Sequence, residues 1–134
     1  MDGDEAMIVA GIGFRKSATA GEIVALVEQA LTRASLARTA LDRLATVEAL
    51  AALPAFAQAA HLLDAAATPV AEPALLEAAP RVRTQSARSL AAHGVGSVAE
   101  AAALAAAGPR AALILERIAS PSATCALARP ETGS

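Results

Sequence analysis

The stretch "MIVAGIGFRKSATAGEIVALVEQAL", residues 7–31, constrains the fold more than any other part of the chain. Met7 to Ile12 is a short, unbroken apolar run that ends at glycine, the pattern of a strand buried on both faces. Thr19-Ala-Gly-Glu22 then matches a capping box, in which Thr19 accepts from the backbone near Glu22 and Glu22 reaches back. Ile23, Val24, Val27, Ala30 and Leu31 follow at helical spacing on one face. A strand, a glycine turn and a capped helix in this order begin an α/β domain.

The theme recurs. "GVGSVAEAAAL" has a second Gly-x-Gly and a second box, Ser97-Val-Ala-Glu100, before an alanine-rich helix that Gly108-Pro109 ends. "LATVEAL" places a strand at about residues 44–49, and Pro54 suits the first turn of a helix over about 54–66. "TPVAE" reads as a short strand and "PALLEA" as a helical turn. "SARSLAAH" is a short helix stopped by Gly94, and "AALILE" and "ATCALA" are the last strands. Strands alternating with helices predict a single α/β domain over residues 1–134, with a mostly parallel sheet covered on both faces. Order is expected over about 7–129, with flexible tails at 1–5 and 130–134.

Composition excludes several functions. A net charge of -2 and two aromatic residues, Phe14 and Phe56, fit neither a phosphate-binding face nor a base-stacking platform, so no nucleic-acid partner is expected. The lone Cys125 allows no intramolecular disulfide. His61 and His93 lie far apart, so no metal site is expected. About forty of the residues are alanine, but the uncharged run Ala49–Leu63 contains Pro54, Gln58 and His61 and is too short for a membrane span. No membrane partner and no cofactor are expected.

The first loop invites a nucleotide reading, and its residues argue against one. A dinucleotide fingerprint lacks its third glycine after Gly11 and Gly13, and Glu48 comes too late for the ribose acid. Lys16-Ser17 ends like a P-loop, but Arg15 stands where glycine is required. A nucleotide-binding α/β domain stays as a distant alternative. What survives is an anion site: helix N-termini attract carboxylates, and Arg15 and Lys16 add cations. Two such loops at the carboxyl ends of parallel strands would face one crevice.

These residues together resemble a known family. "GIGFRKSA", "LATVEA", "GVGSVAEAAAL" and the final "ATCALA", in order over about residues 7–128, are similar to the CobE family, equivalent to the C-terminal domain of CbiG. The resemblance implies a three-layer α/β/α fold and cytoplasmic cobalamin (vitamin B12) biosynthesis, with a corrin or precorrin intermediate and other enzymes of the pathway as partners. Full-length CbiG hydrolyses the ring-A lactone of cobalt-precorrin-5A. A chain of this length looks like the stand-alone CobE of the aerobic route, for which binding of the ring intermediate is the expected role. A precorrin lactone or C–C hydrolase is the alternative. The family pattern Ala-Thr-x-x-x-Lys-x-x-Glu-Pro is kept at Ala45, Thr46 and Pro54, but Leu50 and Leu53 replace its lysine and acid. Ser17 stands where glycine is common, and Arg117 where lysine is.

The expected ligand-binding residues are Gly11, Gly13, Phe14, Arg15, Lys16, Ser17, Thr46, Gly94, Val95, Gly96, Ser97 and Thr124. Glycines allow close approach. Phe14 and Val95 suit an apolar ring, and Arg15 and Lys16 suit its carboxylates. Thr46 and Thr124 are strand hydroxyls that either bond a ligand or satisfy backbone. Hydrolysis would need a group to activate water, for which Glu48 and Glu100 are the candidates, although a capping box also explains Glu100.

Overall fold

A computed structural model describes residues 8–130; the expected tails fall almost entirely outside them. Five strands form one sheet in the order β3-β2-β1-β5-β4: β1 (Ile8–Phe14), β2 (Leu41–Val47), β3 (Ala66–Val70), β4 (Ala112–Ala119) and β5 (Ala123–Arg129). The pairs β1–β2 and β2–β3 are parallel, whereas β1–β5 and β4–β5 are antiparallel. Four strands therefore share a direction and β5 alone is reversed. The sheet is mixed because β4 and β5 are joined by a tight hairpin, closed where Ser120 N–H donates to Ala123 O at 2.8 Å. Antiparallel strands need only such a turn, whereas parallel ones need a crossover.

Both faces of the sheet are covered. On one face, α1 (Ala20–Arg33) and α3 (Pro54–Leu63) pack Ile23, Leu26, Val27, Phe56 and Leu63 against Ile12, Leu44 and Leu127. On the other, α4 (Glu72–Glu77) and α6 (Val98–Ala107) pack Leu75, Ala102 and Leu104 against Val9, Ala45 and Val47. Two short helices, α2 (Glu48–Ala51) and α5 (Ala87–His93), lie in the connections. No single helix among the described residues is long and apolar enough to cross a membrane.

Both expected capping positions hold. Glu22 N–H donates to Thr19 Oγ1 and Glu100 N–H to Ser97 Oγ, each at 3.1 Å. Gly94, at φ 77°, ends α5 in the left-handed conformation that glycine adopts without strain.

Gly11 and Gly13 do not form the expected turn: both lie within β1. A Cβ on Gly11 would stand 1.9 Å from Ala99 O and 2.6 Å from Ala103 N. Glycine is required there because the α6 backbone lies directly on the strand. The alanines of α6 make the same approach possible from the helix side; Ala99, Ala101, Ala102 and Ala103 are wholly buried.

Candidate functional site

A cleft of about 400 Å³ opens at the carboxyl end of β1, beside the β4–β5 hairpin. That volume is within the range of ligand-binding clefts. Its position is also the usual one for α/β sheets, outside the carboxyl ends of parallel strands where the strand order reverses, here at β1.

Four segments build its walls. The end of β1 and the following loop supply Gly13, Phe14 and Arg15. The start of α6 supplies Ser97 and Val98, and α5 with its cap supplies Ser86, Arg88, Ser89, Ala92 and His93. The β4–β5 hairpin supplies Arg117, Ser120, Ser122, Ala123 and Thr124, while Leu50 of α2 closes one side. Three arginines and a histidine thus share a cleft whose lining, among the described residues, holds no carboxylate. Among those residues, Arg15, Arg88 and Arg117 form no ion pair.

Two glutamates outside the lining hold the walls in place. The Glu22 carboxylate does not complete the capping box. It turns to the hairpin and accepts from Ser120 Oγ at 2.5 Å and from Ser122 N–H at 2.8 Å. The Ser120 hydroxyl and then the Ser122 N–H hold its carboxyl below the usual range. Ser122 O in turn accepts from Arg15 N–H at 2.9 Å, so α1, the hairpin and the first loop are linked.

Glu100 is 0% exposed. Its Oε1 accepts from the N–H groups of Arg83 and Thr84 at 2.7 and 2.9 Å. Its Oε2 accepts from Thr84 Oγ1 at 2.6 Å and from Arg117 N–H at 2.9 Å. Burial pushes this carboxyl up, but the bonds from Thr84, Arg117 and Arg83 outweigh it and the net shift is downward. Arg117 can offer its N–H because β4 bulges there: three steps from Leu115 to Ile118 face two from Leu127 to Cys125. Bulges of this kind re-aim side chains beside sites, and here the side chain re-aimed is a cleft cation.

Of the residues expected at the site, Gly13, Phe14, Arg15, Ser97 and Thr124 meet in the cleft. Phe14 serves two roles, since it is buried in the α1 core and lines the cleft. The others lie outside the lining, for identifiable reasons. Gly11 is under α6. Thr46 is 0% exposed and donates to Ile12 O at 2.6 Å, so its hydroxyl satisfies backbone between strands. Val95 is core. Gly94 is a helix cap, and Gly96 approaches Thr84 O so closely that a Cβ would be 2.3 Å away. Lys16 and Ser17 are exposed beyond the rim. Glu48 is exposed at the start of α2, and Glu100 spends its lone pairs on the four bonds above.

Sequence reasoning missed Arg88, Ser89 and His93 on α5, and Ser120 and Ser122 in the hairpin. The available signal was the cation content of "RSLAAH" and the serine pair around Pro121. Cys125 is buried, which pushes its thiol up and leaves it unreactive. Among the described residues no cluster of His, Cys, Asp or Glu could hold a metal ion.

Comparisons with known proteins agree with this architecture. The family described as Cobalamin synthesis G C-terminus matches residues 8–128. Protein CobE of Sinorhizobium sp. is 41% identical over 128 residues, covering 93% of this chain and 81% of that protein. The crystal structure of CobE, a protein from the cobalamin biosynthetic pathway, superposes with a TM-score of 0.89 at 36% identity, over 96% of this chain and 93% of that one. Cobalamin biosynthesis protein chiG from Agrobacterium tumefaciens gives 0.73 at 35% identity, covering 92% and 98% of the two chains. A cobalamin biosynthesis protein G homolog from Sulfolobus solfataricus gives 0.69 at 27% identity; 93% of this chain matches only 37% of that one. With its strand order, its cleft and these likenesses, the chain belongs to the CobE/CbiG C-terminal family of cobalamin biosynthesis proteins.

Proposed function

We propose that the chain binds a corrin-ring intermediate, of the precorrin or hydrogenobyrinic acid type, in the cleft at the carboxyl end of β1. One observation carries this reading: Arg15, Arg88, Arg117 and His93 converge on a cleft that also presents the apolar surfaces of Phe14, Leu50 and Val98. A corrin intermediate has the matching chemistry, an apolar ring edged with carboxylates. Arginine pairs carboxylates through two parallel hydrogen bonds, and a partly desolvated cleft strengthens each. The open side of the cleft lets one edge of the ring enter while the rest stays outside. The family's place in cobalamin synthesis supports the choice of ligand and a cytoplasmic setting, with other enzymes of the pathway supplying and receiving the ring.

Binding fits the cleft better than hydrolysis. A lactone hydrolase needs a group to activate water; Glu48 and Glu100 do not line the cleft, and His93, which does, has no carboxylate among the described residues of the lining to orient it as a base. Phosphate cradling by Gly11 and Gly13 is also unfavoured, since α6 covers the first and Thr124 Oγ1 stands 2.8 Å from a Cβ on the second.

The test is a titration of the pure protein with hydrogenobyrinic acid, followed by visible absorption and by calorimetry. Saturable binding with an intact chromophore supports the reading. Absence of binding to this acid and to earlier ring intermediates overturns it, and a converted chromophore would establish catalysis instead.

A further inference from the structure

The α5 helix is built inside out. Its face toward the cleft carries Ser86 at the cap, then Ser89, Ala92 and His93, while Leu90 is 45% exposed. A helix that only completes a core turns its apolar side inward. This one has no buried residue at all. Its attachment to the rest of the fold is through backbone: Ser86 N–H, at the start of the helix, donates to Gly96 O at 2.9 Å. The fold therefore gains little from the inward side chains of α5.

Ser89 sharpens the point. Among the described residues, its Oγ is the buried side-chain oxygen or nitrogen that lacks a hydrogen-bond partner. Buried polar atoms are nearly always satisfied, and an orphaned one costs free energy. Ser89 lines the cleft, next in sequence to Arg88 and one turn before His93, while its hydroxyl is enclosed in the free protein. A donor set of hydroxyl, guanidinium and imidazole on one short helix complements an oxyanion.

We infer that Ser89 is a specificity-determining ligand contact, whose hydroxyl, enclosed in the free protein, turns into the cleft to donate to a carboxylate of the molecule held there. The inference rests on the binding function proposed above and names the residue that reads the ligand. It has a thermodynamic signature that a structural role lacks. Deleting an orphaned hydroxyl leaves the free protein equally or more stable, yet weakens the complex. A hydroxyl needed by the fold would lower both.

The experiment measures Tm and the Kd for hydrogenobyrinic acid with wild type, Ser89→Ala and Ser89→Thr. Ser89→Ala should raise Kd about five- to tenfold, as loss of one hydrogen bond to a charged group in a half-open cleft predicts, with Tm unchanged or higher. Ser89→Thr, which keeps the hydroxyl, should recover most of the affinity. If wild type binds and Ser89→Ala binds equally well, the inference falls while the binding function stands. A Tm several degrees lower in Ser89→Ala also overturns it, since the hydroxyl would then have a partner in the free protein. If wild type fails to bind, both readings fall together.

Discussion

The backbone N–H of Arg117 donates to Oε2 of Glu100 at 2.9 Å, so a buried carboxylate on α6 sets the position of a cation in the cleft. The same carboxylate holds the 83–84 loop through three further bonds. Removing it strands four donors at once. Glu100→Ala should cost about 3 kcal/mol of stability, near the upper range for a buried hydrogen-bond network, and Glu100→Gln about half of that. Urea denaturation at pH 7 measures both. A loss below about 0.5 kcal/mol for Glu100→Ala would show that the network contributes little.

Acid should expose the same network. Glu22 and Glu100 both titrate below the ordinary carboxylate value of 4.5. The unfolded chain therefore takes up protons first, and the stability these groups contribute is fully present above about pH 4.5 and lost as pH falls through their folded values. The urea midpoint should stay level from about pH 7 to 5 and drop below about 4.5, with a shallower drop in Glu100→Gln. A midpoint independent of pH down to about 3 would contradict the assignment.

Helix–strand contact at Gly11 allows no side chain. In Gly11→Ala the new methyl meets two backbone atoms of α6, which can give way only if the helix moves. A loss of about 3 kcal/mol or more is expected, since overpacking against backbone is costlier than against side chains. Gly13→Ala meets the tip of Thr124 instead, and about 1 kcal/mol is expected. Thermal melts of the pair test the contrast; equal losses would show that α6 can shift freely.

Ligand affinity should separate two adjacent cations. Arg15 lines the cleft and Lys16 does not. Arg15→Ala and Arg117→Ala should each weaken binding of hydrogenobyrinic acid about tenfold, and Lys16→Ala less than about threefold, with the arginine effects shrinking as salt rises. Calorimetry at two ionic strengths provides the measurement. Equal effects from Arg15 and Lys16 would mean that long-range charge, and not the cleft, governs binding.

Much of this architecture was legible from local pattern. Thr19, Ser97, Pro54 and Gly94 mark helix ends by chemistry that operates within four residues, and each marks a helix end in the structure. What stayed hidden was non-local. The carboxylates of Glu22 and Glu100 look like the second halves of capping boxes, yet Glu22 reaches Ser120, 98 positions away. The glycines of β1 look like a loop because a sequence does not show that a helix lies on the strand. Arg88 and Ser89 went unnoticed, and His93 was weighed only as a metal ligand, for a related reason: a polar stripe on a short helix reads as a solvent face, and here it faces a cleft.

The strand order has a kinetic consequence. β1 sits at the middle of the sheet, and one of its two neighbours is the last strand of the fold. Local folding can complete β1, β2 and β3 with their helices early, because those pairings follow the chain. The pairing of Gly13 with Thr124 must wait for a closure across most of the sequence, the slow kind of contact. Until then the apolar strand at the sheet centre is an open edge, a template on which another chain can add. The cleft, whose walls come from both sides of this seam, therefore depends on a pairing between the two ends of the chain.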